Sequence, residues 1–330
     1  MTAPLSKKNL LDIVLQSIDD SGWSSLIVSP KHPFRLRVLS GDERGFDVQV
    51  YIWNCTHGGG SKRADDEYRI QLTGVVPTTN PGVITLLLGW HDGYGVFVGF
   101  DIAKHSGQDA QSPSIQVKEA TLASAHQNAF AIYQRHNNEI AVAFRPEFWV
   151  EYALNSKSLH ETGRAAKDLS LLNSLQSITD GQIESVKNKE RQTVITQMAR
   201  KYRAYDFRRR VLGAYSHQCA ICGLQLDLVD AAHIIPVADP TSTDETINGV
   251  ALCKMHHAAF DSNLISFDEQ YRIEVNEQEV ARLKSGGKAG GLRDFKKQLK
   301  TALILPNDRR DYPRASYIRK ARSVRNWPSV

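Results

Sequence analysis

The sequence predicts an α+β protein with a sheet-rich N-terminal domain, a helical connector and a small, metal-supported C-terminal domain. Between residues 34 and 101, short β-branched and aromatic runs alternate with Gly, Pro, Asn and Asp, which is typical of strands and turns. Residues 161–205 are polar and contain no proline, which favours helices. Residues 219–261 hold three of the four cysteines at chelating spacing, which predicts a metal-supported fold.

The composition is that of a globular chain with room for more than one core. It has 330 residues, of which 41% are apolar, and a net charge of +5. Residues 1–160 hold 14 Lys/Arg and 16 Asp/Glu, whereas residues 161–330 hold 27 and 20. A basic second half favours a polyanionic partner there. No run of about 18 apolar residues occurs, so we expect no membrane span.

The N-terminal segment predicts an amphipathic helix. Ser6 is placed to cap it and Gly22 to follow its end. Its apolar residues repeat at helical spacing: Leu10, Leu11, Val14, Leu15 and Ile18. Acidic residues interrupt this segment, so it does not fit a secretory signal.

Cys55 stands apart from the other three cysteines, and the lack of a disulfide framework predicts a reducing, cytoplasmic location.

Residues 1–160 form the first predicted domain. Its strands are expected at 34–38, 46–53, 68–72, 83–88, 94–100 and 139–144, with a loop at 105–116 and a helix at 120–134. We interpret this domain as the part that recognises a target, because it is nearly neutral rather than a basic clamp.

The remaining chain divides into three predicted parts. Residues 161–205 are the helical connector, with Leu171, Leu172, Leu175 and Ile178 as its packing stripe. Residues 206–275 form the metal-supported domain, which ends in a hairpin over 264–275. Residues 276–330 are a basic extension with 14 Lys/Arg and five Asp/Glu.

Two short pairs of soft ligands predict a structural zinc site. Cys219 and Cys222 are three residues apart, as are Cys253 and His256. Zinc binds four such ligands in a tetrahedron, and two chelating pairs supply them at low entropic cost. The simplest interpretation of these four residues alone is a zinc-supported scaffold without catalysis.

A second set of residues has no structural need of zinc. It comprises His233, Asn248, His257 and Asp261. Phosphodiester hydrolysis needs a base that activates water and a Lewis acid that stabilises developing charge. His233 follows an apolar run, as the end of a strand would place it. His257 and Asp261 are four residues apart, so on a helix they share a face and could hold one divalent ion. The alternative for Asp261 is a cap on the turn at 262–263.

The segment 207–268 resembles the HNH family of nucleases, with His233 as the first H, Asn248 as the N and His257 as the second H. The resemblance implies a ββα-metal fold. It also implies that His233 activates water, that Asn248 braces the loop orienting it, and that His257 holds a catalytic Mg²⁺ or Mn²⁺ ion. The cysteine pairs, with His256, would bind the separate structural zinc.

One position departs from that family pattern. Many members carry Asp or His directly before the first catalytic His, and here that residue is Ala232. The resemblance therefore places the catalytic ion on His257 and Asp261, with Asp230 as a third ligand.

Several residues are predicted to contact DNA. Arg208, Arg209 and Arg210 lie on a predicted helix before the first cysteine, although adjacent arginines point in different directions and could equally form a solvated face. In the first domain the candidates are Trp53, His57 and Arg63, beside a glycine-rich loop that a strand connection would also explain.

Together these features predict a metal-dependent DNA endonuclease that resembles prokaryotic restriction enzymes. Its partner would be double-stranded DNA, and a homodimer would serve cleavage of both strands. The first domain could recognise a base sequence or a modified base. A cage for a flipped base would have to gather four aromatic residues: Tyr51, Trp53, Trp90 and Tyr94.

Two alternatives stay open at the level of sequence. The protein could be a non-catalytic, zinc-supported DNA-binding protein. It could also carry a second nuclease site in the first domain, where Asp101, Gln116 and Lys118 faintly resemble a PD-(D/E)xK pattern.

Overall fold

The chain forms two compact units, Met1–Tyr202 (unit 1) and Arg203–Val330 (unit 2). The computed structural model describes residues 3–41, 44–57, 64–107, 114–135, 137–160 and 166–328. Each unit has its own hydrophobic core.

Unit 1 is a mixed α+β fold. Its elements are α1 (Lys7–Asp20), β1 (Ser24–Ser29), β2 (Phe34–Leu39), β3 (Gly45–Asn54), β4 (Thr56–His57), β5 (Glu67–Gln71), β6 (Ile84–His91), β7 (Val96–Phe100), α2 (Ile102–His105), β8 (Ser114–Lys118), α3 (Glu119–Asn128), β9 (Phe130–Gln134), β10 (Ile140–Phe144), α4 (Trp149–His160), α5 (Ala166–Leu169), α6 (Asp180–Glu184) and the first part of α7 (Lys189–Ala214). Short 3-10 turns lie at Pro146–Phe148 and Ser170–Ser174.

Seven of these strands form one sheet in the order β1-β2-β3-β6-β7-β10-β9. Strands β3 and β6 run parallel, and the other neighbours are antiparallel. Strands β4, β5 and β8 form a separate antiparallel sheet. This arrangement confirms the predicted sheet-rich α+β fold.

Strand β3 is buried on both faces because α1 and α4 pack on one side of the sheet and α3, β5 and β8 pack on the other. Val50 and Ile52 belong to the core that includes α1, whereas Tyr51 and Trp53 belong to the core that includes α3. The period of two along a strand produces this division.

Helix α1 begins and ends as predicted. The side chain of Ser6 accepts a hydrogen bond from the backbone N–H of Asn9 at 3.2 Å. Val14 and Ile18 are fully buried. Gly22 follows the helix with a φ of +82°, a left-handed conformation that glycine adopts without a Cβ penalty.

The prediction of one helix over 120–134 is wrong in its second half. Helix α3 ends at Asn128, and Phe130–Gln134 is strand β9. Ala129 reverses the chain with a φ of +73°, and β9 then pairs with β10 at the sheet edge. Pairing with β10 overrides the local helical pattern.

Three further strands differ from the prediction. Strand β4 (Thr56–His57) was not predicted. Strand β8 begins inside the segment expected to be a loop at 105–116. Strand β1 was not predicted, because its apolar residues Leu26, Ile27 and Val28 are consecutive and do not alternate with polar residues; all three are exposed in the structure.

The connector is helical, as predicted, and packs within unit 1. Leu172 and Leu175 are buried in the unit 1 core. Thr179 and Gln182 form a capping box at the start of α6. The predicted domain boundaries stay predictions, and the compact unit extends to Tyr202.

Unit 2 contains small antiparallel hairpins and helices around a second core. Its elements after α7 are β11 (Val229–His233), β12 (Gly249–Cys253), α8 (Lys254–Asp261), β13 (Ile265–Phe267), β14 (Ile273–Val275), α9 (Glu277–Ser285), α10 (Leu292–Gln298) and α11 (Ala315–Val324). Short 3-10 turns lie at Thr246–Asn248 and Arg309–Asp311. The β13–β14 pair confirms the predicted hairpin. The C-terminal extension contributes Leu303, Ile318 and Ala321 to this core.

Among the described residues, no helix has the length and apolar content needed to cross a membrane.

Candidate active site and metal centre

Strands β11 and β12 and helix α8 form a ββα unit. In the antiparallel pair, His233 lies opposite Gly249 and Val229 lies opposite Cys253. Helix α8 starts directly after Cys253. One end of the hairpin therefore carries His233 and the other carries a cysteine that leads into the helix.

The four predicted metal ligands lie together. The ligand atoms of Cys219, Cys222, Cys253 and His256 are all within 4.8 Å of one another. The Nδ1 atom of His256 is 3.2 Å from the sulfur of Cys253 and 3.5 Å from the sulfur of Cys219. A tetrahedron with bonds of about 2.0–2.3 Å gives ligand separations of this size. This cluster can therefore hold one metal ion.

A tight turn brings the first cysteine pair into register. The backbone N–H of Gly223 donates to the carbonyl of Cys219 at 2.8 Å, and Gly223 has a φ of +80°. The N–H of Cys219 in turn donates to the carbonyl of Leu224 at 2.9 Å. Glycine suits the left-handed position that closes this turn.

The acid–base properties of the cluster fit a bound cation. Burial acts to raise the pKa of Cys219, but its hydrogen bond with His256 and nearby backbone N–H groups outweigh burial and lower the pKa to about 6. Burial raises the pKa of Cys222 to about 12. A metal ion stabilises a thiolate on each cysteine that binds it.

His256 and His257 point to different sides of helix α8. Consecutive helical residues are roughly 100° apart around the axis. His256 is fully buried in the metal cluster, whereas the side chain of His257 is 25% exposed. Helical geometry therefore separates two adjacent histidines into two environments.

His233 is held on two sides. Its Nε2 atom lies 2.9 Å from a carboxylate oxygen of Asp244. Its ring stacks on Phe207 with a centroid distance of 3.8 Å and an interplanar angle of 13°. When the Nε2–H group donates this hydrogen bond to Asp244, the neutral ring carries no proton on Nδ1, which is then the basic nitrogen.

Asp244 and Phe207 were not among the predicted site residues. Asp244 lies in the irregular loop between β11 and the 3-10 turn, where no spacing rule relates it to His233. Phe207 lies on helix α7, next to the three arginines predicted to contact DNA. The sequence offered a weak signal for it, namely a large aromatic residue close to the first cysteine.

Asn248 is fully buried, and both the oxygen and the nitrogen of its side-chain amide make hydrogen bonds. Its Oδ1 accepts from the N–H of Ile235 at 2.9 Å, and its Nδ2 donates to Ser242 Oγ at 3.2 Å and to the carbonyl of Thr243 at 2.8 Å. These bonds tie together the two ends of the loop that carries Asp244. Asn248 therefore braces the loop that positions His233.

Gly249 allows helix α7 to approach the hairpin. A Cβ at this position would lie 2.3 Å from Val211 and 3.0 Å from the ring of Phe207. Since Phe207 stacks on His233, the missing side chain of Gly249 helps to set the ring that supports His233.

His257 and Asp261 face each other one helical turn apart. His257 Nε2 lies 3.3 Å from Asp261 Oδ2, and the Asp261 side chain is 59% exposed. The other carboxylate oxygen of Asp261 lies 3.8 Å from Arg325. In the turn at 262–263, the N–H groups donate to backbone carbonyls of Ala258 and Phe260.

Asp230 has cationic partners in the structure. Its carboxylate accepts from Arg208 at 2.9 Å and from Lys254 at 2.7 Å. Burial acts to raise the pKa of Asp230, but these partners, Lys254 foremost, outweigh burial and lower it. Asp230 lies three residues before His233, and the alternation of β11 places the two on opposite faces of the strand.

The three adjacent arginines have separate roles in packing. Arg210 donates to Asp206 at 2.7 Å, to Thr246 at 2.7 Å and to the carbonyl of Asp244 at 2.6 Å. Arg208 pairs with Asp230, and Arg209 with Asp206 at 2.8 Å. Arg209 is the most exposed of the three, at 62%, and Arg210 the least.

In unit 1, the predicted DNA contacts lie in different environments. Trp53 is only 5% exposed, and the ammonium of Lys7 lies 4.5 Å from its ring centroid. His57 is exposed, with Nε2 2.9 Å from the carbonyl of Asp65. Arg63 lies outside the described residues.

The four aromatic residues of the predicted base cage are not gathered. Tyr51 and Trp53 stack at 6.3 Å in one core of unit 1, whereas Trp90 packs against Phe97 in the core on the other face of the sheet. Tyr94 contacts His91 instead.

The residues of the suggested second nuclease site also have separate partners. Asp101 caps helix α2 by accepting from the N–H of Ala103 at 3.0 Å. Lys118 pairs with Asp66 at 2.7 Å, and Gln116 lies opposite Arg69 in the small sheet.

Two family models match parts of the chain. Residues 219–268 match the HNH endonuclease family, and this range includes His233, Asn248, His257 and Asp261. Residues 46–153 match the family described as Methylase-associated X1. Residues 219–268 therefore form an HNH endonuclease domain, and the protein is a nuclease.

Other comparisons give little additional support. A solved structure titled "Modification dependent TagI restriction endonuclease" aligns with 12% sequence identity and a TM-score of 0.29, covering 84% of this chain and 80% of that chain. No curated protein sequence matches the chain.

Proposed function

We propose that the protein is a metal-dependent restriction endonuclease that cuts double-stranded DNA with its HNH domain. The observation that carries this proposal is the arrangement of His233, which is held by Asp244 and stacked on Phe207 within a loop braced by Asn248. A metal-supported scaffold without catalysis has no need of an oriented histidine at the end of a strand.

His233 acts as the general base in this proposal. With Nε2 bonded to Asp244, its Nδ1 accepts a proton from the attacking water. Asp244 keeps the ring in that tautomer and stabilises the imidazolium that forms, while Phe207 fixes the plane of the ring. Asn248 contributes by holding the loop rather than by touching DNA.

Asp261 and His257 would hold the catalytic Mg²⁺ or Mn²⁺ ion. Their donor atoms are 3.3 Å apart on the exposed face of α8, and an imidazole nitrogen and a carboxylate suit such an ion. When bound, the ion supplies Lewis-acid stabilisation of the charge that develops on the leaving 3′ oxygen. Asp230 is a weaker candidate as a third ligand because Arg208 and Lys254 already neutralise it.

The metal of the cysteine cluster is zinc in this proposal. Three thiolates and one imidazole form a donor set that zinc favours, and the cluster is largely buried, as a structural site requires. The zinc ion would fix the position of the first turn of α8 relative to the turn at Cys219–Cys222. It takes no part in the reaction.

The N-terminal region supports a restriction role in host defence. The family matched by residues 46–153 is described as methylase-associated, and a nuclease that acts beside a methylase must distinguish modified from unmodified DNA. We propose that this region recognises the target, as a base sequence or a modified base. Double-strand cleavage would be served by a homodimer, and the cytoplasm is the expected location.

A cleavage assay tests the proposal. The protein is incubated with Mg²⁺ or Mn²⁺ and with unmodified or cytosine- or adenine-modified plasmid DNA. We expect His233→Ala to slow cleavage by about 10²–10⁴-fold, the range typical of a general base. A suitable control is His217→Asn, because His217 is exposed and asparagine tolerates its φ of +57°. Equal cleavage by the wild type and His233→Ala would refute this mechanism.

A further inference from the structure

Arg325 lies at the end of strand β11, although it is far from the HNH segment in sequence. Its Nη1 donates to the carbonyl of Ile234 at 2.5 Å, and its Nη2 lies 3.5 Å from the carbonyl of His233. Nη2 is also 3.8 Å from Asp261 Oδ1. One guanidinium therefore contacts the backbone of the general base and a carboxylate of the proposed ion site.

Several contacts hold Arg325 in place. Its guanidinium lies 4.2 Å from the ring centroid of the buried Phe260. The side-chain amide of Asn263 donates to the carbonyl of Arg325 at 3.1 Å. The Arg325 side chain is only 13% exposed. Such a constrained guanidinium can hold neighbouring atoms in place.

Two arginines of helix α11, which ends directly before Arg325, have different partners. Arg319 pairs with Glu269 at 2.6 Å, and Arg322 pairs with Glu274 at 2.8 Å while covering the ring of Trp327. These contacts dock helix α11 onto the β13–β14 region. Arg325 extends the same series, at intervals of three residues, to the nuclease site.

We propose that Arg325 is a positioning residue of the nuclease site. It fixes the backbone of His233 and lowers the affinity of Asp261 for a divalent cation. This inference rests on the proposed function of His233 and Asp261. It also extends the catalytic unit to the last helix, well beyond residue 268, where the match to the HNH family ends.

Two physical effects follow from this placement. The planar guanidinium binds two consecutive carbonyl oxygens, which a lysine ammonium cannot reproduce with the same geometry. Loss of this contact lets the end of β11 move, and small misplacements of a catalytic group have large kinetic effects. The positive charge beside Asp261 also repels a cation, so its removal should strengthen cation binding.

The first test compares three variants: Arg325→Ala, Arg325→Lys and the control Arg322→Ala. Single-turnover DNA cleavage is measured together with thermal unfolding and retained zinc. We expect Arg325→Ala to cleave on the order of 10²-fold more slowly than the wild type. Arg325→Lys should also be slower, because lysine keeps the charge but lacks the planar set of N–H donors that contacts both carbonyl oxygens. Arg322→Ala should lower the unfolding temperature and leave the cleavage rate of the folded protein unchanged.

The second test measures Mn²⁺ binding without DNA, by titration of the zinc-loaded protein. We expect Arg325→Ala to bind Mn²⁺ several-fold more tightly and Arg325→Lys to bind it like the wild type. Adding Asp261→Asn should abolish the difference between arginine and alanine at position 325, which a double-mutant cycle measures directly. A merely structural role for Arg325 would not produce this pattern.

The outcomes separate this inference from the proposed function. If His233→Ala abolishes cleavage while folded Arg325 variants cleave and bind Mn²⁺ like the wild type, only the role of Arg325 is refuted. The same holds if Arg322→Ala reduces cleavage as much as Arg325→Ala. If His233→Ala cleaves normally, the proposed mechanism fails, and the Mn²⁺ titration still tests the coupling of Arg325 to Asp261. If Arg325→Ala does not fold, Arg325→Lys decides the cleavage test, and Arg325→Gln, which also removes the positive charge, replaces Arg325→Ala in the Mn²⁺ titration.

Discussion

Helix α8 presents two faces with different chemistry. On its buried face, His256 is fully enclosed with three cysteines whose donor atoms converge on one point. On its other face, His257 and Asp261 are partly exposed, and their donor atoms face each other without being enclosed. The comparison shows that one residue of helical rotation separates a site that can stabilise the fold from a site that can meet a substrate.

The two faces also depend on different parts of unit 2. The buried face is completed by the turn at Cys219–Cys222, which is local in sequence to the hairpin. The exposed face is completed by Arg325, which directly follows the last helix, and His233 is supported by Phe207 from helix α7. Substitutions on the two faces should therefore have separable effects on stability and cleavage.

The largest expected effect is on the buried face. Cys219→Ser removes one ligand from the cluster, and structural zinc sites contribute about 10–16 kcal/mol in small domains, which is comparable to the stability of a whole domain. We expect unit 2 to lose its bound zinc and its folded structure. Zinc content and amide hydrogen exchange of β12 measure this. The control is Cys55→Ala in unit 1, which should keep zinc. The prediction would be contradicted if Cys219→Ser kept its zinc and if its β12 amides exchanged as slowly as in the wild type.

The second expected effect contrasts the adjacent histidines. His257→Ala should slow cleavage by about 10²–10³-fold, as loss of an electrostatic stabiliser does, and leave zinc content and thermal unfolding nearly unchanged. His256→Ala should instead release zinc. The measurements are cleavage rate, zinc content and unfolding temperature for both variants. Loss of zinc from His257→Ala would show that the two faces are not independent.

The smallest expected effect concerns the support of His233. Gly249→Ala places a methyl group against Val211 and Phe207, and overpacking of this kind costs roughly 1–3 kcal/mol. We expect a lower unfolding temperature and slower cleavage, with zinc retained. The matched control is Gly213→Ala in helix α7, where an added Cβ meets nothing within 4 Å and alanine favours the helix by about 0.5–1 kcal/mol. Unchanged cleavage by Gly249→Ala would show that the stacking of Phe207 on His233 is dispensable.

Much of the fold followed from local patterns. The capped helix α1 and the strands β2, β3, β5, β6 and β7 were predictable because caps, turns and alternating apolar residues act over a few positions. Strand β9 was not predictable, because Phe130–Gln134 continues a helical pattern and becomes a strand only through pairing with β10. The exposed strand β1 likewise depends on its neighbour β2.

The sequence by itself determined the chemistry of the C-terminal domain. The spacing of Cys219, Cys222, Cys253 and His256 predicted a cluster that the structure assembles, since two residues between ligands suffice for chelation by a turn or a helix start. The same helical spacing predicted that His257 and Asp261 share a face.

Only the tertiary structure decided which groups support that chemistry. Asp244 and Arg325 reach His233 across separations of 11 and 92 residues, and no periodicity encodes such contacts. The tertiary structure also pairs Asp230 with Lys254 and Arg208, and Arg210 with the loop at 244–246. The physical reason is that ligand spacing is a local property of the backbone, whereas the orientation and charge of a catalytic group depend on packing between distant elements.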